Sequence, residues 1–299
     1  MRAELMGVER KKTEGNAQAI RVLMYHSVTK EDDPAGRNLF RLPVGQFRAH
    51  LEWLDRRGFT AITFDDYRLF REGVLNLPKK PVILTFDDGY QDVYENAFPL
   101  LREYGMKAVM FVIGDRRVRS NIWDMNGTAP AAPLMSDREI IEMHQAHFEI
   151  GAHTHSHARL TEIPREAAWK EISYSRMELE GLLNKPVLSF AYPYGCLNEE
   201  TKRMVRDAGY KIACSAFSGP PVFGGDEFEV RRSTIFSTTG TVGLGLRLLT
   251  PYQHYQWVRW RSSLLIHSNG RSKTAGVVLP GEKESLAQTL PGTHGENNG

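Results

Sequence analysis

The chain alternates between short apolar runs and stretches in which apolar residues recur every three or four positions. An unbroken apolar run such as residues 81–86 predicts a strand covered on both faces, as in a parallel sheet. The spacing of Phe47, Leu51 and Leu54 predicts a helix. Because the two types alternate, the pattern predicts βα units and an α/β fold with a parallel sheet or barrel. The predicted strands are 20–25, 61–64, 81–86, 107–113, 149–152, 187–191 and 211–214. The predicted helices are 46–57, 66–72, 92–104, 164–183 and 199–208. A further helix is predicted to begin at a capping box formed by Ser136 and Glu139 and to end near Gln145.

The alternation fades at both ends of the chain. Residues 1–19 are polar and charged and predict a flexible leader, whereas residues 263–299 have the composition of a disordered tail. Residues 20–262 form one predicted domain. The first 19 residues lack the apolar stretch of a secretory signal peptide, so we expect a cytoplasmic protein, with association with the cell envelope left open. No apolar run is long enough to predict a membrane span.

The charge is nearly balanced, with 38 Lys and Arg against 36 Asp and Glu and a formal net charge of +2. No strong electrostatic field therefore favours nucleic acid as a partner. The two cysteines, Cys196 and Cys214, are too few for a disulfide framework and form no C-x-x-C motif. Neither composition nor patterning indicates an oligomeric state.

Two adjacent carboxylates follow an apolar strand in the sequence TFDDGY at residues 85–90. Neighbours in a strand point to opposite faces, but a turn that Gly89 permits can bring Asp87 and Asp88 into one site. Parallel α/β folds place their active sites at the carboxyl ends of the strands. Considered alone, the motif is explained as well by a turn or a helix cap. A similar sequence at residues 63–67 lacks the glycine, and we interpret it as a helix start that Asp65 or Asp66 caps.

Three histidines fall within the sequence HTHSH at residues 153–157. Imidazole is the most common metal ligand near neutral pH. His153 and His157 are four positions apart and would share one face of a helical turn, whereas His155 would point elsewhere. Two histidines and one carboxylate are a recognised catalytic ligand set that keeps one position for water.

Two weaker features adjoin predicted strands. The sequence FAYPYG at residues 190–195 ends a strand in an aromatic turn, which can offer a backbone N–H to an oxyanion and a ring to a sugar. An ordinary tight turn explains it as well. His26 closes the first predicted strand, and the strand ends of a barrel converge on one rim. Trp123 lies in a loop-rich segment, where a lid over substrate and a core anchor are equally compatible with the sequence.

In combination and in order, these motifs resemble those of the polysaccharide deacetylases of carbohydrate esterase family 4. By that resemblance Asp87 is the catalytic base, and Asp88, His153 and His157 bind a divalent metal ion. The backbone N–H of Tyr194 is the expected oxyanion donor. The resemblance covers about residues 20–236 and implies a distorted (β/α) barrel, usually of seven parallel strands.

One departure from the family's pattern concerns its catalytic groups. Ala191 occupies the place of the family's arginine, which orients the catalytic aspartate through a further Asp-Trp motif, and that motif is not found in this sequence either. The residues that follow Ala191, Tyr-Pro-Tyr-Gly at 192–195, resemble the exopolysaccharide branch of the family. In that branch the domain is circularly permuted and the catalytic histidine comes from an early strand. His26 is then the expected general acid. The sequence Leu-Ile-His that ends at His267 also matches the family's late histidine motif, and we favour His26 because His267 adjoins the predicted tail.

The resemblance implies a hydrolase of linear amides, which removes N-acetyl groups from amino sugars of a poly- or oligosaccharide. Its partner is then an N-acetylated glycan, and its metal is Zn²⁺, with Co²⁺ or Ni²⁺ as substitutes. The first alternative is a deacylase of a non-sugar amide, and the second is a non-catalytic carbohydrate-binding protein. The residues expected to contact substrate are Tyr192, Pro193, Trp123 and Arg232.

Overall fold

The structure is a computed structural model that describes residues 20–30, 38–124 and 131–268, with side chains as far as residue 262. One unit ends at Trp260 and a second begins at Arg261, and the first contains every described strand. The strands are β1 (Arg21–Tyr25), β2 (Ser27–Thr29), β3 (Arg41–Pro43), β4 (Thr60–Ile62), β5 (Pro81–Phe86), β6 (Val109–Val112), β7 (Glu149–Ala152), β8 (Ser189–Ala191), β9 (Ile212–Cys214) and β10 (Ser233–Thr234).

Seven strands lie side by side and parallel in the order β10-β1-β5-β6-β7-β8-β9. The first half of β5 also pairs with β4, through Ile83 and Ile62, and its second half pairs with β6, through Phe86 and Met110. β2 and β3 form a separate parallel pair. The long sheet curls into a partly closed barrel, which confirms the distorted (β/α) barrel of about seven parallel strands.

Helices connect most of the successive strands, and between residues 20 and 214 the predicted elements agree with the structure to within a few residues at their ends. The predicted helix 92–104 begins with a π-helical turn, Val93–Ala97. The α-helices are α1 (Val44–Arg56), α2 (Phe64–Arg71), α3 (Phe98–Glu103), α4 (Asp137–Gln145), α5 (Arg165–Leu183), α6 (Glu199–Asp207), α7 (Thr241–Leu249) and α8 (Tyr252–Ser268).

Both faces of the curled sheet are apolar. Leu84 and Met110 belong to the core cluster between the sheet and the helices, whereas Ile83 and Phe111 belong to a second cluster inside the curl. This alternation explains why the strands are unbroken apolar runs in the sequence. Gly151 in β7 has no room for a side chain, because a Cβ would lie 2.6 Å from atoms of the Phe111 ring.

Local capping chemistry fixes two helix starts. Ser136 and Glu139 form the predicted capping box at α4, in which each side chain accepts the backbone N–H of the other residue. At α2 the same reciprocal bonds join Thr63 and Asp66. The sequence at residues 63–67 is therefore a helix start, as interpreted, but the N-cap is Thr63, with Asp66 as its partner three residues later, rather than Asp65 or Asp66.

The region after Cys214 contains elements that the periodicity does not predict, namely β10, α7 and α8. The predicted boundary between domain and tail, after residue 262, falls within α8. The predicted leader, residues 1–19, and residues 269–299 lie outside the described residues. Among the described helices, none has the length and apolar character needed to cross a membrane.

Glu149 begins β7 at the end of the barrel opposite to the carboxyl ends of the strands, and its carboxylate accepts the N–H of Asp65 at 2.9 Å. Burial, assisted by the charge of Asp65, raises the pKa of Glu149 from its ordinary 4.5 to about 7. Between these two values the unfolded chain ionises while the folded chain keeps its proton. The free energy of unfolding therefore falls as the pH rises through this window, and the loss is complete above it.

We expect Glu149→Gln to be more stable than the unaltered protein at alkaline pH, by up to about 3 kcal/mol, because the amide does not ionise. The difference should shrink as the pH falls toward 4.5. Urea unfolding across this range measures it, with Glu178→Gln on the exposed side of α5 as the control. A stability difference that does not change with pH would contradict the prediction.

Candidate active site

The carboxyl ends of neighbouring parallel strands bring the motifs to one rim of the barrel. His26 follows β1, Asp87 and Asp88 follow β5, and His153 follows β7. The aromatic turn at residues 190–195 ends β8. Because these strands are parallel members of one sheet, residues far apart in the sequence meet at the same edge.

Asp88, His153 and His157 form a buried cluster at this rim. The Nε2 atoms of His153 and His157 lie 3.3 and 3.1 Å from Oδ1 of Asp88. The ligand atoms of all three residues lie within 4.8 Å of one another. The structure thus brings together the three residues that the family resemblance gives as metal ligands.

The other ring nitrogen of each histidine has its own partner. Nδ1 of His153 donates to the carbonyl of Ala191 at 2.8 Å, and Nδ1 of His157 lies 3.1 Å from the hydroxyl of Tyr194. A carbonyl can only accept, so Nδ1 of His153 carries a proton, and Nε2 offers a lone pair to a metal ion once it has lost its own proton. This is the arrangement by which proteins orient a metal-binding imidazole.

The donor set fits a divalent ion such as Zn²⁺. Bonds of about 2.0–2.1 Å in a tetrahedral zinc site place neighbouring ligand atoms about 3.3 Å apart. The Nε2–Oδ1 separations of 3.3 and 3.1 Å match that spacing. Two imidazoles and one carboxylate leave a fourth position for water or substrate.

Left-handed backbone conformations are concentrated in the site. Such conformations are unfavourable for residues with a Cβ and persist where the surrounding structure enforces them, often at functional sites. The described residues include six non-glycine residues with positive φ, and four of them belong to the site motifs: Asp88 (73°), Thr154 (61°), His157 (66°) and Tyr194 (58°).

The two histidine ligands do not share a helix face. The prediction of a helical turn across the HTHSH motif is wrong, because positive φ at Thr154 and His157 is incompatible with a right-handed helix. A non-helical turn directs both imidazoles to the same side. His155 points away from the site, as predicted, and its ring lies edge-on to that of Tyr174.

Asp87 is held by a buried arginine from a distant part of the chain. Nη1 and Nη2 of Arg232 donate to the two carboxylate oxygens at 2.6 and 2.7 Å. Nη1 also donates to Oγ1 of Thr85, and Nε donates to the carbonyl of Ser215. A fork bonded in this way fixes both the position and the plane of the carboxylate. Arg232 therefore orients the expected catalytic base, the role that the family resemblance gives to an arginine at position 191, where this chain has Ala191.

Three of the four residues predicted to contact substrate are buried. Arg232 is 4% exposed and orients Asp87 instead. Tyr192 is 1% exposed, and its hydroxyl donates to the carbonyl of Phe228 at 3.1 Å. Pro193 is buried as well. These side chains offer little surface to a sugar, and contact between them and substrate stays a prediction.

Aromatic groups surround His157 on the open side of the cluster. The ring of Trp123 stacks on the imidazole at a centroid distance of 4.3 Å, and the ring of Tyr194 lies edge-on to it at 4.7 Å. The guanidinium of Arg159 lies 3.7 Å from the centroid of the Tyr194 ring. Trp123 is only half-buried, so a contact between its ring and substrate stays a prediction.

Opposite charges keep both aspartates ionised. Burial by itself would raise the pKa of Asp87, but Arg232 and His153 outweigh it and hold that pKa below its ordinary value. Burial likewise opposes ionisation of Asp88, yet hydrogen bonds from His153 and His157 hold its pKa well below the usual range. At neutral pH the site therefore offers one carboxylate for a metal and one for a proton.

His26 lies within electrostatic reach of both aspartates, and its ring packs on Phe40 at a centroid distance of 4.4 Å. Burial lowers the pKa of His26, although the charges of Asp88 and Asp87 oppose the shift. A lower pKa makes the protonated imidazole a stronger acid. The side chain of the alternative acid, His267, lies outside the described residues.

Comparisons with known proteins identify the family. Residues 75–213 match the family model of the polysaccharide deacetylases. The protein YxkH of Bacillus subtilis (strain 168), assigned to the polysaccharide deacetylases, is 30% identical over 212 residues, which cover 70% of this chain and 68% of YxkH. The chain belongs to the polysaccharide deacetylase family, whose members are hydrolases.

Two further relatives indicate which kinds of deacetylase the chain is similar to. The poly-beta-1,6-N-acetyl-D-glucosamine N-deacetylase of Staphylococcus aureus (strain N315) is 25% identical over 185 residues, which cover 59% of this chain and 61% of that enzyme. The crystal structure of BC0361, a polysaccharide deacetylase from Bacillus cereus, superposes with a TM-score of 0.62 at 26% identity and covers 77% of this chain and 68% of that one. The relatives thus include a deacetylase of the exopolysaccharide type.

We expect Asp88→Ala and His153→Ala to lower Zn²⁺ affinity by more than about 100-fold, because each change removes one of only three ligands. Isothermal titration of chelator-stripped protein measures the affinity. His155→Ala is the matched control, since its ring contacts Tyr174 and leaves the cluster intact. Unchanged affinity in the Asp88 and His153 variants would show that the ion binds elsewhere.

We expect Arg232→Lys to lower kcat by about 10–100-fold while bound metal is retained, because a point charge replaces the fork that fixes Asp87. Arg232 depresses the pKa of Asp87, so the acidic limb of the kcat/KM profile should move to higher pH in the variant. Arg231→Lys is the control, since Arg231 donates to the carbonyl of Gly219 instead. An unshifted pH profile in Arg232→Lys would contradict the positioning role.

Proposed function

We propose that the protein is a metal-dependent deacetylase that removes N-acetyl groups from the amino sugars of a poly- or oligosaccharide. One observation supports this proposal above the others: a buried Asp-His-His cluster lies beside a second carboxylate, Asp87, which Arg232 holds ionised and immobile. A cluster of metal ligands without a base would account only for metal binding. A separately held base next to it is what the hydrolysis of an amide requires.

The relatives support a polymer of N-acetylated amino sugars as the substrate. The staphylococcal relative is named for the deacetylation of poly-beta-1,6-N-acetyl-D-glucosamine. For this chain we propose the same class of polymer as substrate, but not that particular glycan. The half-buried ring of Trp123 beside His157 is suited to stacking on a sugar ring.

Asp88, His153 and His157 hold the divalent ion in this proposal, with Zn²⁺ preferred and Co²⁺ or Ni²⁺ as substitutes. When bound, such an ion polarises the acetyl carbonyl and lowers the pKa of a water molecule. Asp87 accepts the proton of that water as its oxygen adds to the carbonyl carbon. Arg232 keeps the carboxylate in the orientation in which it can do so.

The second half of the reaction uses groups from β1 and from the turn after β8. The backbone N–H of Tyr194 donates to the developing oxyanion. Tyr194 and Gly195 both have left-handed backbone conformations, with φ of 58° and 66°, and turns of this kind can form a concave site whose N–H groups bind an anion. His26 in its protonated, imidazolium form then donates a proton to the nitrogen as the carbon–nitrogen bond breaks, and is left as neutral imidazole. The products are acetate and a free amino sugar.

We expect Asp87→Asn to retain its metal and to release acetate from N-acetylglucosamine oligomers about 10²–10⁴-fold more slowly, because the amide cannot accept a proton. A coupled assay for free acetate measures the rate, and metal analysis of the same sample shows that the site is loaded. Full activity in Asp87→Asn would overturn the proposal.

The general acid is tested by a pair of variants in the same assay. We expect His26→Ala to lose a comparable factor, about 10²–10⁴, while His267→Ala retains the rate. The reverse pattern would assign the proton donor to His267.

The same assay tests the substrate class. Acetate released from small N-acetyl amides but from no oligosaccharide would show that the substrate is a non-sugar amide. If metal-loaded protein released acetate from none of these substrates, the result would favour the non-catalytic carbohydrate-binding protein instead.

A further inference from the structure

A short segment, residues 121–124, is fixed beside the turn that carries the first metal ligand. Asn121 is buried, its N–H donates to the carbonyl of Ala132 at 3.1 Å, and its side-chain carbonyl accepts the N–H of Ala132 at 2.6 Å. Leu134, two positions further on, pairs with Tyr90, which directly follows the metal-ligand turn. The segment therefore has a defined position at the rim of the barrel, although it contains only one short 3-10 turn.

The carboxylate of Asp124 is held by only one of its two oxygens. Oδ2 accepts the hydroxyl of Tyr90 at 3.1 Å and the side-chain amide of Asn121 at 3.0 Å. Among the residues that the structure describes, Oδ1 has no hydrogen-bond partner, and it does not belong to their buried unpartnered atoms. Asp124 itself is half-buried. The first oxygen thus fixes the carboxylate, and the second is open to solvent.

This open oxygen lies on the side of the metal-ligand cluster where aromatic rings surround His157. Trp123, the neighbour of Asp124 in the sequence, stacks on the imidazole at a centroid distance of 4.3 Å. The charge of Asp124 acts on both His157 and Tyr194. A sugar ring is apolar on its face and carries hydroxyl groups at its edge, so an aromatic ring beside a hydrogen-bond acceptor is suited to bind it.

We propose that Asp124 is a substrate-recognition residue, whose Oδ1 accepts a hydrogen bond from a hydroxyl group of the amino sugar that contacts Trp123. The inference rests on the proposed function, because that function names a sugar as the occupant. An ionised carboxylate accepts hydrogen bonds and donates none, so it selects a donor at this position. Hydroxyl groups are the donors at the edge of an N-acetylated sugar, which carries no ammonium group before the reaction. A sugar without that hydroxyl binds less well.

The variant Asp124→Asn isolates the open oxygen. Its amide oxygen can keep the bonds to Tyr90 and Asn121, whereas an NH₂ group replaces the open acceptor. We expect KM for N-acetylglucosamine oligomers to rise about tenfold at nearly unchanged kcat, because the lost hydrogen bond stabilises bound substrate and transition state alike.

The matched control is Asp115→Asn, which makes the same chemical change in the same stretch of chain. The carboxylate of Asp115 bonds to the exposed guanidinium of Arg117, so both constants should stay unchanged. Thermal unfolding verifies that the two variants are folded, and Zn²⁺ titration should give the affinity of the unaltered protein for each.

A second measurement does not depend on turnover. Isothermal titration follows the binding of the fully acetylated N-acetylglucosamine pentamer to metal-loaded Asp87→Asn protein, with and without the added Asp124→Asn change. We expect the added change to weaken binding about tenfold. If the pentamer binds in this manner but the unaltered protein releases no acetate, the proposed function fails and the recognition role of Asp124 stands.

Other outcomes would overturn the recognition role. They are pentamer affinity that is equal with and without Asp124→Asn, pentamer binding in neither protein, and a fall in kcat with unchanged KM. A loss of affinity confined to the pentamer of glucosamine, whose free amines are charged, would assign Oδ1 to an ammonium group and contradict the hydroxyl contact.

Discussion

The buried ion pair between Asp87 and Arg232 connects three parts of the barrel that are distant in sequence. Asp87 follows β5, Arg232 precedes β10, and the guanidinium also bonds to the carbonyl of Ser215 after β9. Charges removed from water are tolerated only when nearly every donor and acceptor is satisfied. Here both carboxylate oxygens and all three guanidinium nitrogens have partners. We interpret the pair as a means of keeping a carboxylate ionised and fixed beside the metal ligands, rather than as a source of stability.

The position of this arginine illustrates how the barrel accommodates change at its rim. Ala191, which occupies the place of the family's arginine, belongs to the interior cluster that also contains Phe111. The guanidinium of Arg232 lies 5.5 Å from the centroid of the Phe111 ring. Arg232 precedes the first residue of β10, so its side chain reaches Asp87 through the interior of the barrel rather than from the carboxyl end of a strand. The small side chain at position 191 is compatible with an arginine that approaches from β10.

The metal-ligand cluster depends on backbone geometry that is locally unfavourable. Asp88 and His157 both have positive φ, although neither is glycine. Conformations of this kind persist only where packing on all sides enforces them. The rigid part is the sheet, with apolar layers on both faces, and the turns at its carboxyl ends carry the strain. His153 joins the two, since its Nδ1 bonds to the carbonyl of Ala191 on β8 while its Nε2 faces Asp88.

The sequence by itself determined the alternation of strands and helices, because apolar periodicity reflects local backbone geometry and burial. It also determined the residue types of the ligand cluster, since adjacent carboxylates and clustered histidines are visible within single motifs. Only the tertiary structure decided which residue holds Asp87. Arg232 lies 145 residues further along the chain, and no local pattern distinguishes it from Arg231. The burial of Tyr192 and Pro193 and the left-handed turns at His157 and Tyr194 likewise arise from packing between distant segments, which local sequence does not encode.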